Sequence, residues 1–162
     1  MDEVLRPPRH RVQRRAIGWW ALRVLAGTVV AGGVLGLAYL LVTPWRSGLG
    51  IVLVVVVGSG VVLLVVAPAW RYAVHRWEVT EDAVYVRSGW VVREWRIAPI
   101  SRVQTVDTVR GPLQQALGLA TVTVTTASAR GPIALVGLDH RTAATVAREL
   151  AEITQATPGD AT

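Results

Sequence analysis

Two long apolar segments, separated by six residues, constrain this chain more than any other feature of its sequence. Residues 24–42 and residues 49–69 contain no charged side chain. A helix rises about 1.5 Å per residue, so each segment would span roughly 30 Å, the thickness of the hydrocarbon core of a bilayer. A core helix of a soluble protein normally has one polar face, and neither segment has one. The sequence therefore predicts a transmembrane hairpin over residues 19–70, with helices at about 20–43 and 49–70.

Aromatic and basic residues indicate where the hairpin meets the membrane surface and how it is oriented. Indole rings favour the headgroup level, and arginines favour the cytoplasmic side of a span. Arginines are frequent before the first apolar segment, whereas the connecting loop has only Arg46. We therefore expect residues 1–18 to be a basic cytoplasmic tail and both termini to be cytoplasmic. The residues that we assign to the membrane interface are Trp19, Trp20, Trp45, Trp70, Arg14, Arg15 and Arg71.

The apolar segments are rich in small residues and lack the side chains that carry ions. Gly32 and Gly36 form a GxxxG pair, which allows two helices to approach closely. Two roles fit this pair: packing of the two helices of one hairpin, or association of two copies. Neither segment contains Asp, Glu, His or Lys, so neither offers a proton relay or an ion pathway. The hairpin is expected to be an anchor.

The charge of the chain points to lipid rather than to nucleic acid. The net charge is +6 and every basic residue is arginine. Basic residues beside a membrane span attract anionic headgroups, so we expect such lipids near the tail. Because membrane orientation already accounts for these arginines, we do not expect nucleic acid as a partner.

The sequence lacks the patterns that are typical of enzymes. It contains no cysteine, which excludes disulfides and thiol catalysis. His10, His75 and His140 do not have the spacing of metal ligands, and Glu94 and Asp107 are isolated carboxylates. We therefore predict a non-enzymatic protein without a metal or cofactor.

After the hairpin the pattern changes to short β-rich segments separated by turn signals. The predicted strands are residues 72–79, 83–89, 90–97, 102–109, 119–127 and 132–138. Turns are expected at residues 80–82 and at Ser88-Gly89, and a short helical turn within residues 111–118. Six meandering strands predict an antiparallel barrel or sandwich.

A helix is predicted to end the domain. Asp139 is a suitable N-cap, and the apolar residues that follow recur at helical spacing along one face. The fold class is therefore α+β: a transmembrane hairpin, then a cytoplasmic β-domain at residues 71–156 that a C-terminal helix caps. Residues 157–162, which include Pro158 and Gly159, are expected to be disordered.

Four stretches of the domain share their order and spacing with a known family. They are residues 72–89, 96–106, 117–122 and 125–127. Together with the hairpin in front of them, they resemble the YdbS-like bacterial pleckstrin-homology (PH) domain membrane proteins. The resemblance implies a bent barrel of seven antiparallel strands with a C-terminal capping helix. Our count of six strands would then be one short, and we expect the missing strand near residues 91–97 or 102–109.

The resemblance also bears on ligands. PH domains that bind phosphoinositides use basic residues in the first strand and in the loop after it. In this chain that loop contains Glu81 and Asp82, which would repel a polyphosphorylated headgroup. The family resembles adaptors more than enzymes, although a fold alone does not establish function.

A cluster of arginines and tryptophans around the second predicted hairpin is the candidate interaction surface. If Arg93 and Trp95 share one face of their strand, Glu94 and Arg96 share the other. The alternative is that Trp90 or Trp95 fills the core and that the arginines are only solvated. The residues of the candidate surface are Arg87, Trp90, Arg93, Trp95, Arg96 and Arg110.

The loop at residues 109–115 has two interpretations of its own. It is either a further binding surface or a structural connection whose Leu113, together with Leu117, fills the barrel.

Two functions remain after these exclusions. The first is a membrane-anchored, non-enzymatic interaction or scaffold module at the cytoplasmic face, which binds a protein partner or self-associates. The alternative is a module that binds or senses anionic lipids of the cell envelope. The acidic loop favours the first.

Overall fold

The structure, a computed structural model, describes residues 8–89, 93–128 and 131–156. These residues form two compact units. One unit is helical and comprises Ile17–Trp70. The other combines residues 8–16, which end at the start of the first long helix, with the chain from Arg71 onward.

The helical unit confirms the predicted hairpin. Helix α1 is Arg15–Leu41, a 3-10 turn occupies Thr43–Trp45, and helix α2 is Arg46–Val74. Both helices expose large apolar side chains along most of their length; Val29 is 63% exposed and Val54 is 72% exposed. Exposed apolar surface of this extent is unfavourable in water and suits a hydrocarbon environment.

Small residues let the two helices of the hairpin pack closely. The side chain of Thr28 lies where a Cβ atom on Gly60 would be, so only glycine fits there. A Cβ on Gly32 would be 3.4 Å from Val57 Cγ2, whereas a Cβ on Gly36 would have no neighbour within 4 Å. Of the GxxxG pair, Gly32 therefore belongs to the contact within the hairpin, and Gly36 does not.

The second unit contains two antiparallel sheets and two further helices. The first sheet has the strands β2 (Arg76–Val79), β3 (Ala83–Gly89) and β4 (Arg93–Pro99), and the second has β5 (Val103–Val109), β6 (Leu119–Thr126) and β7 (Ile133–Asp139). Helix α3 (Pro112–Ala116) connects β5 to β6, and helix α4 (His140–Ala156) follows β7. In the described part of the chain the sheets stay separate, which corresponds to the predicted sandwich rather than to a closed barrel.

The core of this unit follows from alternation along the strands. In β6, Val122 and Val124 are fully buried, while Thr123 between them is not. Helix α4 packs on the second sheet, and its Leu150 is also fully buried. The backbone N–H of Arg141 donates to Asp139 Oδ1 at 3.0 Å, which confirms the predicted N-cap.

Most predicted strands are confirmed, but the first begins later than expected. Residues 72–74 continue α2, and β2 starts only at Arg76. The helix continues past the apolar segment because its backbone hydrogen bonds do not depend on apolar side chains. Ser88 and Gly89 do not form the predicted turn; they are in β3 and pair with Glu94 and Arg93. Residues 90–92, which follow Gly89, lie outside the described residues.

The seventh strand lies in neither of the places where we expected it. Strand β1, His10–Arg11, comes from the segment before the first membrane helix. It pairs antiparallel with β2, His10 opposite Trp77 and Arg11 opposite Arg76. The expectation of a missing strand near residues 91–97 or 102–109 is therefore wrong for the described residues, where these segments supply β4 and β5 alone.

The N-terminal segment, residues 8–16, also reaches the second sheet. Val12 and Ala16 are buried, and the backbone N–H of Gln13 donates to the carbonyl oxygen of Gly137 at 2.9 Å. Gly137 has a φ of +76°, and a Cβ atom on it would be 2.8 Å from Ala16 Cβ. The segment that sequence analysis assigned to a tail thus bridges the two sheets.

This arrangement constrains how the chain crosses the membrane. Strand β1 precedes α1, and its partner β2 follows α2. The two strands pair only if they are on the same side of the bilayer, so the two helices must carry the chain across and back.

Substitution of Gly137 tests how much the N-terminal segment stabilises the domain. We expect Gly137→Ala to lower the thermal midpoint of the detergent-solubilised protein more than Gly131→Ala. Both glycines have positive φ, which costs an alanine about 1–2 kcal/mol, or roughly 2–8 °C in the midpoint. Only Gly137 would also collide with Ala16, because no atom lies within 4 Å of a Cβ on Gly131.

Limited trypsin digestion gives the second readout of this pair. Arg9, Arg11 and Arg14 should become cleavable in Gly137→Ala and stay protected in Gly131→Ala. Equal midpoints and equal cleavage would show that the N-terminal segment does not stabilise the domain.

Candidate functional site

Three arginines and a tryptophan form a row across the four strands of the first sheet. Arg11 pairs with Arg76, Arg76 with Arg87, and Arg87 with Trp95. Directly opposite residues of antiparallel strands project from the same face of a sheet. Trp77 and Val86, the next residues along their strands, are buried. The arginine row (Arg11, Arg76, Arg87 and Trp95) therefore lies on the face that points away from the core.

The row concentrates positive charge. Like charges directly opposite each other destabilise a pair of strands. In the described part of the chain, none of the three arginines forms an ion pair. Glu78, the carboxylate on the same face, accepts a hydrogen bond from the backbone N–H of Arg9 and lies 3.7 Å from its Nε. No described carboxylate forms an ion pair that would offset this repulsion, so the row is suited to an anion from outside.

Arg87 has unused hydrogen-bonding capacity. Its guanidinium carbon lies 5.3 Å from the centre of the Trp95 ring, within cation–π range. Its Nε is buried and has no hydrogen-bond partner among the described residues. A guanidinium presents its donors in a planar fork that matches phosphate or carboxylate oxygens.

An arginine flanks the row on one side, and aromatic and aliphatic side chains flank it on the other, all on the same face. Arg93 pairs with Gly89 and lies two residues from Trp95, while Tyr85 pairs with Ile97 on the other side of the row. Ile97 is 41% exposed. Arginine beside partly exposed aromatic and aliphatic side chains is typical of surfaces that rest on a membrane interface.

The structure brings together only part of the predicted interaction surface. Arg87, Arg93 and Trp95 share the outer face, but Arg96 pairs with the buried Val86 and so belongs to the opposite face. Its Nη1 donates to the carbonyl oxygen of Pro132 at 2.7 Å. Arg110 is in the other sheet's β5–α3 connection, where its Nε donates to the Leu119 carbonyl oxygen at 3.1 Å. Trp90 lies outside the described residues.

The register confirms that Glu94 and Arg96 share the face opposite Arg93 and Trp95. Of the two tryptophans considered for the core, Trp95 is only half-buried on the outer face, and Trp90 lies outside the described residues. Trp77, which sequence analysis did not consider, is buried.

Sequence reasoning missed the other two arginines of the row. The alternation Arg76, Trp77, Glu78, Val79 is a signal that places Arg76 on an outer face. No such signal exists for Arg11, because β1 has only two residues.

The connection around α3 packs differently from the structural interpretation that sequence analysis offered. Leu113 is 41% exposed, so the expectation that it fills the interior is wrong. Gln114 is buried instead. Its Nε2 donates to Thr121 Oγ1 at 2.9 Å, and its Oε1 accepts from the backbone N–H of Gly111 at 3.1 Å. The amide of Gln114 thus satisfies polar groups of this turn that a leucine side chain could not.

The residues assigned to the membrane interface fall into different environments. Trp45 is exposed in the 3-10 turn before α2, and Trp70 is exposed near the end of α2. Trp19 and Trp20 are buried, with ring centres 6.1 Å apart. Of the arginines, Arg14 and Arg71 are exposed, and Arg15 Nη1 would be 3.2 Å from a Cβ on Gly118.

The three histidines are dispersed. The ring of His10 lies 5.0 Å from that of Trp77, and His140 Nδ1 is 3.8 Å from Asp139 Oδ1. Burial, and then the positive charge of Arg71, lower the pKa of His75, so its neutral form is favoured. Among the described residues, His, Asp and Glu nowhere gather in a group of three that could hold a metal ion.

Comparison with known proteins agrees with this architecture. A family model described as "Bacterial PH domain" matches residues 21–154. The chain is also 40% identical over 85 residues to the "UPF0699 transmembrane protein YdbS" of Bacillus subtilis (strain 168). That match covers 52% of this chain and 52% of the relative, so the chain spans about half the length of the relative. No solved structure matches the chain.

Proposed function

Because the chain belongs to the bacterial PH domain family and has two transmembrane helices, we propose that it is a non-enzymatic, membrane-anchored binding module. The hairpin holds the PH-like domain at the cytoplasmic face of the membrane. There the arginine row binds anionic lipid headgroups. The observation that carries the proposal is the row itself: three cross-strand arginines with no ion-pair partner in the described part of the chain.

The position of the row along the chain supports a lipid ligand. Arg11 comes shortly before α1, and Arg76 comes directly after the end of α2. Both residues are therefore tethered by very short segments to membrane helices. Each arginine close to an anionic surface contributes about 1 kcal/mol, and the contribution falls off within a Debye length.

The acidic turn between β2 and β3 does not oppose this site. Glu81 and Asp82 follow the end of β2, while Arg76 is its first residue. Four strand residues span roughly 13 Å, which exceeds the Debye length of about 8 Å at physiological ionic strength. The turn weighs against a phosphoinositide bound at the turn and leaves the row available for simpler anionic headgroups.

A protein-interaction or scaffold role is the second candidate. It is favoured by strand β5, whose outer edge has no strand partner in the described residues. Anchoring confines the domain to a thin layer, which raises the effective concentration of any partner in the same membrane.

Cysteine accessibility tests the orientation, because the native chain contains no cysteine. A membrane-impermeant maleimide should label Ser47→Cys, in the first turn of α2, in intact cells. It should label Thr142→Cys, on α4, only after lysis. Arginines are frequent before the first apolar segment and recur after the second, whereas Arg46 alone lies between the two segments, and this distribution predicts the result. Labelling of Thr142→Cys in intact cells would contradict a cytoplasmic domain.

Hydrogen exchange in nanodiscs tests headgroup binding by the full chain. Phosphatidylglycerol, compared with phosphatidylcholine alone, should slow exchange of the β3 and β4 amides. The double variant Arg76→Gln/Arg87→Gln should lose that protection, as should the native chain in high salt.

The matched control is Arg141→Gln/Arg148→Gln, which removes the same charge from exposed positions on α4. It should keep the lipid-dependent protection. If both double variants behave like the native chain, the row does not bind headgroups; if both lose protection equally, the effect is net charge and not a site.

A further inference from the structure

The edges of the two sheets differ in how well they are protected against pairing. Within the described residues, β1 and β4 border the first sheet, and β5 and β7 border the second. Charged residues and proline on an edge prevent it from pairing with another chain. Strand β4 has Arg93, Glu94 and Arg96 and ends at Pro99. Strand β7 accepts a hydrogen bond from the backbone N–H of Gln13. Strand β1 is only two residues long.

Strand β5 lacks this protection. Its seven residues contain one charged side chain, Asp107. Most of the strand is exposed, and Val109 is 56% exposed. In the described structure β5 pairs with β6 on one side, and its other side has neither a strand nor a backbone hydrogen bond. Alternate N–H and C=O groups along that side are available to a further strand.

We propose that the open edge of β5 pairs antiparallel with β5 of a second copy of this chain, about a two-fold axis at Val106. Val106 then lies opposite Val106 of the second copy. Thr105 lies opposite Asp107 of the second copy, and the reverse pair forms by symmetry. The two three-stranded sheets join into one sheet of six strands.

Side-chain complementarity selects this register. A two-fold axis at Asp107 would place two carboxylates directly opposite each other, which destabilises a strand pair. An axis at Thr105 would place Asp107 opposite Val103, whose side chain has no hydrogen-bond donor for the carboxylate. The axis at Val106 gives each carboxylate a hydroxyl donor. Within one chain, Thr105 Oγ1 already lies 3.3 Å from Asp107 Oδ2, so both groups are on the same face.

The membrane makes a second copy of the chain the favoured occupant of the edge. Two copies inserted with the same orientation hold their domains in one layer, which raises the effective concentration for pairing. A bulge between Val103 and Thr105 restricts regular pairing to the residues around Val106. The inference relies on the anchoring of the proposed function and does not depend on headgroup binding by the arginine row.

Disulfide trapping in membranes tests the register directly. Opposite residues in antiparallel strands have Cα atoms about 4.5–5.5 Å apart, within the range that a disulfide spans. Val106→Cys should form a covalent dimer on mild oxidation. A mixture of chains with Thr105→Cys and chains with Asp107→Cys should form the mixed dimer in excess over either self-pair. Leu113→Cys, exposed but outside β5, is the control and should stay monomeric.

A charge pair at one exposed position provides a test that does not depend on oxidation. Thr105→Asp places two carboxylates opposite each other, and should weaken dimerisation of the detergent-solubilised protein about tenfold. Thr105→Lys places an ammonium opposite Asp107 and should dimerise at least as tightly as the native chain. Mass photometry across a concentration series measures both.

Three results would overturn the proposal. The first is a native chain that stays monomeric over the whole series. The second is equal trapping of Val106→Cys and Leu113→Cys. The third is trapping of Val106→Cys to a different protein, which would assign the edge to that partner. Loss of headgroup binding in Arg76→Gln/Arg87→Gln, with dimerisation unchanged, would separate the two proposals.

Discussion

The pairing of β1 with β2 is the interaction on which the rest of this structure depends. It joins two segments that are far apart in sequence, one before the first membrane helix and one after the second. Because they pair, the two helices must return the chain to its starting side. The same pairing extends the first sheet and places Arg11 beside Arg76, which lengthens the arginine row. The return of the chain to one side of the membrane and the extent of the candidate binding face thus both follow from one short strand.

The face of the first sheet and the edge of the second sheet each carry an unusual feature. The first sheet accepts repulsion between opposite arginines, and the second leaves β5 nearly free of charge. Both features are unfavourable or hazardous in an isolated soluble domain. In a domain fixed beside a membrane, the headgroup binding that we propose would offset the first, and the pairing of two copies that we propose would cover the second.

Those parts of the fold that depend on local pattern were predictable from the sequence. The hairpin follows from the length of the apolar segments, β6 from its alternation of valine and threonine, and the start of α4 from the Asp139 cap. Strand β1 was not predictable, because two residues carry no periodicity and their partner lies beyond both helices. Arg87, Arg93 and Trp95 were expected at a surface from composition. Their grouping with Arg11 and Arg76, and the separation of Arg96, required the strand register.

One measurement tests the central claim most directly: intrachain disulfide formation between Arg11→Cys and Arg76→Cys in native membranes, followed by a mass-shift assay. The two Cα atoms are direct partners across β1 and β2, so the bond should form readily within one chain. The same assay with Arg14→Cys in place of Arg11→Cys should give little product. If the first pair forms no intrachain bond, or both pairs form it equally, the N-terminal segment does not complete the sheet and this account of the protein fails.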